Sequence, residues 1–270
     1  MTRAIVLTST MRRHQFVANY LAERLDVAGV WQEQKSFDPL RYAESPDDEL
    51  VIQRHFAARD ASEEAFFAEH GTLKPRIGIV TRVPSGGSNN ARELERMRAL
   101  APDVVLVFGT SLLKQPLIDM FPRRIINIHL GLSPYYRGAG TNFWPLVNGE
   151  PEYCGATIHF LDAGVDSGPI IAHARPAIAR GDGPHDVGNK AIVAAAGALA
   201  DAALACADGP LPAVEQWQGG RIYRRADFSA AAVRRLYENF DNGMIDRYLL
   251  NQQARDARLQ LITMPGASAA

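Results

Sequence analysis

Cysteine is almost missing from this 270-residue chain, which contains only Cys154 and Cys206. Two thiols so far apart exclude a disulfide framework and a cysteine-built zinc cluster, and they read as small core residues in a reducing compartment. An excess of one charge is missing too. With 29 Lys and Arg against 30 Asp and Glu the net charge is −1, which leaves no electrostatic footprint for nucleic acid or an anionic membrane. The first residues lack the apolar region of a secretion signal and no run suggests a membrane span, so a cytosolic setting is expected. Familiar catalytic signatures are also lacking. There is no Gly-x-Ser-x-Gly elbow and no paired Cys and His nucleophile, and the Gly-rich loop 84–90 lacks the Lys and Ser or Thr of a P-loop. That loop reads as a connection. No internal repeat is found.

What is present is a long alternation of short apolar runs and helical spacings. The chain is long enough to bury a substantial core. Residues 3–8 read as a buried strand, and 15–25 as a helix with Phe16, Val17, Tyr20, Leu21 and Leu25 on one face. Strand followed by helix predicts an α/β sheet. Further strands are predicted over 27–32, 76–81, 103–108, 125–128, 155–161 and 168–176, with one long helix or two shorter ones over 47–70 and helices over 91–100, 141–147 and 186–207. A polar connection spans 36–46, and Phe56, Phe66 and Phe67 are expected to pack. Beyond residue 210 a short strand over 220–224 precedes a helix from Ser229, with Val233, Leu236, Tyr237 and Phe240 on one side. Asn242-Gly243 breaks it, helical spacing resumes over 244–261, and the end from Pro265 is expected to be loose.

The most informative stretch runs from 123 to 176. Asn127 and His129, two residues apart, project from the same face of one strand, at its polar end. A loop rich in Pro, Tyr, Arg and Gly follows, then a second strand, then Asp166 among glycines. The ordered segments are Asn-Ile-His at 127–129, Pro134 with Tyr-Arg-Gly at 136–138, Gly-Ala-Thr-Ile-His-Phe at 155–160, and Asp-Ala-Gly-Val-Asp-Ser-Gly-Pro-Ile-Ile at 162–171. Together they resemble the folate-dependent formyltransferases, which include glycinamide ribonucleotide, methionyl-tRNA and nucleotide-sugar N-formyltransferases.

The resemblance implies a Rossmann-like α/β fold, a mostly parallel sheet with helices on both faces. A catalytic domain over 1–210 would carry a small, mainly helical C-terminal extension over 211–270. It implies 10-formyltetrahydrofolate as co-substrate, no metal, and Asn127, His129 and Asp166 as the catalytic trio. The strand end and turn at Phe108, Gly109, Thr110 and Leu112 would line the folate pocket, faced by a loop carrying Leu161, Asp162 and Gly164; Asp162 also reads as the loop's structural partner. On the acceptor side stand Tyr136 and Arg137, with Phe143 and Trp144 as either core anchors or an acceptor-facing wall. Arg12, Arg13 and His14 would bind an anion at a helix start, or form a solvated basic turn. His159 stands either near the reacting centre or as a buried strand histidine. His129, His159, Asp162, Asp166 and His173 match no common metal-ligand spacing.

The chemistry of the trio can be argued from the side chains. Formyl transfer to an amine passes through a tetrahedral intermediate bearing an oxyanion, which needs donors already aimed at it. Asn127 and a protonated His129 can donate, and Asp166 favours that protonation. The amine's proton can go to Asp166, directly or through water, or to His129 after it changes state. Two departures from the family bear on the acceptor. The loop 8–14 has no glycine, against a glycinamide ribonucleotide substrate, and Gly131 stands where relatives carry Ser, with Ser133 as a partial substitute. The helical tail points to a nucleotide-linked amino sugar or another small amine. Alternatives are glycinamide ribonucleotide formylation, formyltetrahydrofolate hydrolysis and a non-catalytic folate-binding module. The tail is also a candidate homodimer surface.

Overall fold

The computed structural model describes residues 1–35 and 38–264. Ser36 and Phe37, at the start of the expected polar connection, and the expected loose end from Pro265 lie outside them. The apolar runs become strands β1 (Arg3–Ser9), β2 (Asp26–Glu33), β3 (Ile79–Val83), β4 (Val104–Val107), β5 (Ile125–His129), β6 (Tyr136–Gly138), β7 (Ala156–Phe160), β8 (Ile170–Ala174) and β9 (Arg221–Tyr223). The helices are α1 (Arg12–Ala22), α2 (Pro46–Phe66), α3 (Ala91–Ala99), α4 (Gln115–Met120), α5 (Trp144–Val147), α6 (Pro184–Asp208), α7 (Ala230–Asp241), α8 (Met244–Leu250) and α9 (Gln252–Asp256).

Seven strands form one sheet in the order β3-β2-β1-β4-β5-β7-β8. The first five are parallel neighbours, and β7 runs antiparallel to both β5 and β8. This is the expected Rossmann-like, mostly parallel sheet, with one reversed strand. Alternation along the strands covers both faces: Val6, Leu106, Ile126 and Ile128 pack against α1 and α6, while Ile5, Leu7, Val105 and Ile125 pack against α3 and α4. The strand order changes direction between β1 and β4, so a crevice opens at their C-terminal ends.

Long-range pairing alters several expected boundaries. The third strand starts at Ile79, three residues late, because a turn closes through Ile77 N–H to the Lys74 carbonyl at 3.2 Å before β2 can pair. Helix α4 and strand β6 were not anticipated. The last helical stretch ends at Asp256, not 261, because Ile262 exchanges bonds with His173 on β8, donating to Nδ1 at 3.0 Å and accepting from its N–H at 2.8 Å. Phe67 packs in the core as expected, whereas Phe66 is exposed. Against the expectation of no such run, α6 is long and apolar enough to cross a membrane by length and composition. Its buried stripe, including Ile192, Ala195, Ala196, Leu199 and Ala203, packs in the sheet core, where the small alanines permit close approach.

The tail shares a third core with the residues ahead of β7. Leu236, Met244, Ile245 and Tyr248 pack with Tyr136, Trp144, Leu146 and Cys154. Strand β9 pairs in parallel with β6. Ser229 caps α7 as its sequence suggests, accepting from the Ala232 N–H at 3.3 Å.

Candidate functional site

The site is built on the end of β5. Period-two alternation puts Asn127 and His129 on one face while Ile126 and Ile128 enter the α6 core on the other. Antiparallel pairing then sets His159 of β7 directly across from Asn127, and Thr157 across from His129. The turn from β7 to β8 returns Asp166 to the same place. Its φ of 50° is a left-handed conformation that few residues other than Gly, Asn and Asp adopt readily.

His129 Nδ1 lies 3.2 Å from Asp166 Oδ2, and its Nε2 lies 3.2 Å from the Tyr136 carbonyl. Both ring nitrogens face acceptors, so a protonated ring can donate to each. His159 places Nδ1 at 2.8 Å from the Phe160 carbonyl and Nε2 at 3.0 Å from Asn127 Nδ2. Those contacts put its proton on Nδ1 and leave Nε2 to accept from Asn127. Burial lowers the His159 pKa, with the Asp166 charge acting the other way. For Asp166, burial opposes the carboxylate, but the hydrogen bond and charge of His129, with His159 and Arg137, outweigh it and hold the pKa below the ordinary aspartate value. His159 is thus at once a buried, bonded strand histidine and a neighbour of Asp166, 3.9 Å away.

Gly131 explains how the loop closes on this centre. Its φ is +148°, and a Cβ there would lie 2.5 Å from Thr141 and 2.9 Å from His129 Nε2. Thr141, which the sequence marked only as a helix start, therefore lies against Gly131, as His129 Nε2 does. Ser133 is buried and its backbone is engaged, donating to Thr157 Oγ1 at 2.8 Å and accepting from His173 Nε2 at 2.8 Å. Its hydroxyl has no partner among the described residues.

The other expected site residues divide. Phe108 is buried, with the His14 ring edge-on to it at 4.6 Å. His14 bonds Ser9, and burial first, then the charges of Arg13 and Lys35, keep its pKa well below the usual histidine value. Gly109 has φ +78°, and a Cβ there would lie 2.4 Å from the His14 ring. The Thr110 carbonyl accepts from Lys35 Nζ at 3.2 Å, Leu112 is exposed, and Leu161 packs beside the α3 and α4 core. Asp162 spends its carboxylate inside the loop, accepting from Ser167 Oγ at 2.9 Å and Gly164 N–H at 3.1 Å. Arg12 and Arg13 do not stand as free cations: they pair with Glu64 and Glu63 of α2. The Tyr136 hydroxyl is bound by Glu150, Asn148 and Arg221, and burial raises its pKa far above the ordinary phenol. Arg137 bears on the Asp166 charge, and its Nε is buried without a partner among the described residues.

The structure also holds an aromatic cavity of about 260 Å³. Phe143 and Trp144 line it together with His55 and Phe56 of α2 and with Arg224, Arg225 and Phe228 of the tail. Its wall at Ala139 and Gly140 continues directly into Thr141. Phe143 and Trp144 thus line this cavity, and Trp144 also belongs to the third core, with Phe143 packed against it.

The comparisons with known proteins agree with this architecture. A family model described as formyl transferase matches residues 24–202. Among solved structures, a Mycobacterium tuberculosis protein inferred to be a sugar N-formyltransferase is 24% identical, with a TM-score of 0.55 over 84% of this chain and 77% of that one. Glycinamide ribonucleotide transformylase 1 from Symbiobacterium toebii is 22% identical, with a TM-score of 0.53 over 80% of this chain and 95% of its own. A sugar N-formyltransferase from Shewanella is 15% identical, with a TM-score of 0.55 over 84% of this chain and 78% of its own. These three likenesses are of fold; the match of the family model over well more than half of the sequence establishes that the chain belongs to the formyl transferase family.

Proposed function

We propose that this protein transfers the formyl group of 10-formyltetrahydrofolate to a primary amine on a small metabolite, a nucleotide-linked amino sugar. The observation that carries this reading is the convergence of Asn127, His129 and Asp166 at the C-terminal end of the sheet, with 3.2 Å between His129 Nδ1 and Asp166 Oδ2. Asn127 uses one amide proton on His159 and keeps a second for an oxyanion. Asp166, held ionised by its neighbours, accepts the proton of the attacking amine, directly or through water. A protonated His129 would supply positive charge beside both groups, and the charge leaving with tetrahydrofolate would be neutralised by a proton from the same pair.

For the co-substrate, the apolar side chains of Phe108, Leu112 and Leu161 and the backbone of Gly109, Thr110, Asp162 and Gly164 suit a flat heterocycle that needs hydrogen bonds at its edge. The aromatic cavity supports the acceptor class, since its rings suit a base and Arg224 and Arg225 suit phosphate. Sugar N-formyltransferases among the structures of like fold are consistent with it. Glycinamide ribonucleotide fits less well, because Arg12 and Arg13 are already paired. Residues 1–210 act as the catalytic unit in this proposal, with 211–270 packed onto it.

The test is to incubate the protein and 10-formyltetrahydrofolate with a nucleotide-sugar-enriched extract and follow the products by mass spectrometry. A species heavier by one CO unit is the expected outcome. Free formate without such a species would replace transfer by hydrolysis, and an unchanged donor in the presence of amino-sugar nucleotides would overturn the proposal.

A further inference from the structure

Gln216 lies between α6 and β9, outside every motif described above. Its side-chain amide donates to the Asp166 carbonyl at 2.8 Å and to the Gly168 carbonyl at 2.9 Å. The two acceptors bracket Ser167, so one side chain spans the turn that presents the Asp166 carboxylate. Because both neighbours are acceptors, the amide has one usable orientation: reversed, its oxygen would face two carbonyl oxygens.

The turn needs such support, since Asp166 holds a left-handed φ of 50°. Its own bonds leave that backbone alone. Asp162 gathers Ser167 Oγ and Gly164 N–H, whereas the Asp166 carbonyl is held, among the described residues, by Gln216. The stretch bearing Gln216 is itself anchored on both sides. Val214 and Ile170 exchange reciprocal backbone bonds at 2.8 Å, extending the sheet edge at β8. Trp217 packs edge-on to Tyr135, with ring centroids 5.6 Å apart. The clamp is therefore fixed to the sheet and to the loop that supplies the Tyr136 carbonyl.

We propose that Gln216 is a positioning residue that holds the Asp166 turn in register with His129, making the start of the C-terminal extension a working part of the reactive centre. This inference rests on the formyl-transfer reading, in which Asp166 faces His129 of β5, His159 of β7 and Arg137 of β6. A group held on a supported turn keeps its geometry, and a displacement on the order of 1 Å costs up to about a hundredfold in rate.

The experiment compares wild type with Gln216→Met, which fills nearly the same space but cannot donate, and with Glu215→Gln at the exposed neighbour as control. The Met variant is expected to fold, to lose roughly tenfold or more in kcat with little change in donor KM, and to shift the acid limb of kcat/KM to higher pH as Asp166 loses its contact with His129. Gln216→Glu sets a carboxylate against two carbonyls. It is expected to fall further at neutral pH and to recover in part on acidification, when the introduced carboxyl gains a proton to donate. Wild-type kcat with an unmoved acid limb in a folded Met variant overturns the proposal; if that variant does not fold, absence of any acid recovery in Gln216→Glu does so. Histidine-ring NMR of His129 separates this inference from the reaction it rests on. A resonance that moves between wild type and the Met variant, in a protein that transfers no formyl group, would retain the clamp and overturn the reaction, whereas an unmoved resonance would overturn the clamp.

Discussion

Asp166→Asn removes one charge from a nearly closed centre while preserving the shape of the side chain. At 3.2 Å, and with an effective dielectric of about 20, the gross attraction between a protonated His129 and the Asp166 carboxylate is about 5 kcal/mol. Desolvating two largely buried groups cancels a good part, leaving roughly 3 kcal/mol, or about a hundredfold in turnover. The backbone should tolerate the change, because Asn adopts positive φ more readily than most residues. Burial opposes the native carboxylate but its neighbours outweigh burial, so removing the charge also costs some folding stability. Thermal melting should therefore fall modestly, while kcat falls about a hundredfold and donor binding persists. The pH profile adds a second reading. Since the Asp166 pKa is depressed, its carboxylate acts above that lowered value and is lost as pH falls through it, so the acid limb due to Asp166 should vanish in the variant. Formyl transfer followed by mass spectrometry, with donor binding by calorimetry, decides the matter. Turnover near normal in both Asp166→Asn and His129→Ala would refute the assignment of the trio.

Three further outcomes are expected. Gly131→Ser would place a Cβ 2.5 Å from Thr141 and 2.9 Å from His129 Nε2; it should destabilise by about 1–3 kcal/mol in urea denaturation and lower turnover. Phe228→Ala opens the aromatic cavity and should raise the acceptor KM about tenfold with the donor KM unchanged, as measured by initial rates. Burial chiefly lowers the pKa of His55 to about 3 and those of His173 and His185 to about 4. Below the unfolded value of 6.5 the unfolded chain binds protons that the folded one refuses. Stability should therefore fall steadily from about pH 6.5 towards about pH 4 in denaturation midpoints.

Local pattern was enough for most of the architecture. The β5 run shows its two faces in five residues, because a strand's period of two sends Asn127 and His129 one way and Ile126 and Ile128 the other. The cap at Ser229 and the apolar face of α7 follow equally from neighbouring residues. Boundaries moved where a distant partner intervened, as at Ile262, whose bonds to His173 end the helical spacing early. The ordered motifs singled out Asn127, His129 and Asp166 as candidates, and the fold brings His129 and Asp166 to 3.2 Å; the residues around them were not readable.

The amino-acid sequence by itself determined an α/β chain with near-zero net charge, the face shared by Asn127 and His129, and membership of a recognisable family through segments spread from 127 to 171. Only the tertiary structure decided which partners those residues keep. Arg12 and Arg13 look free in sequence and are paired by α2, some fifty residues on. His159 meets Asn127 because β7 reverses beside β5, and Gln216, unremarkable in any local window, reaches Asp166 because residue 214 joins the sheet edge. Secondary structure is set by periodicities within a few residues, whereas the partner of a buried polar group is set by chain topology, which brings together residues that no local pattern connects.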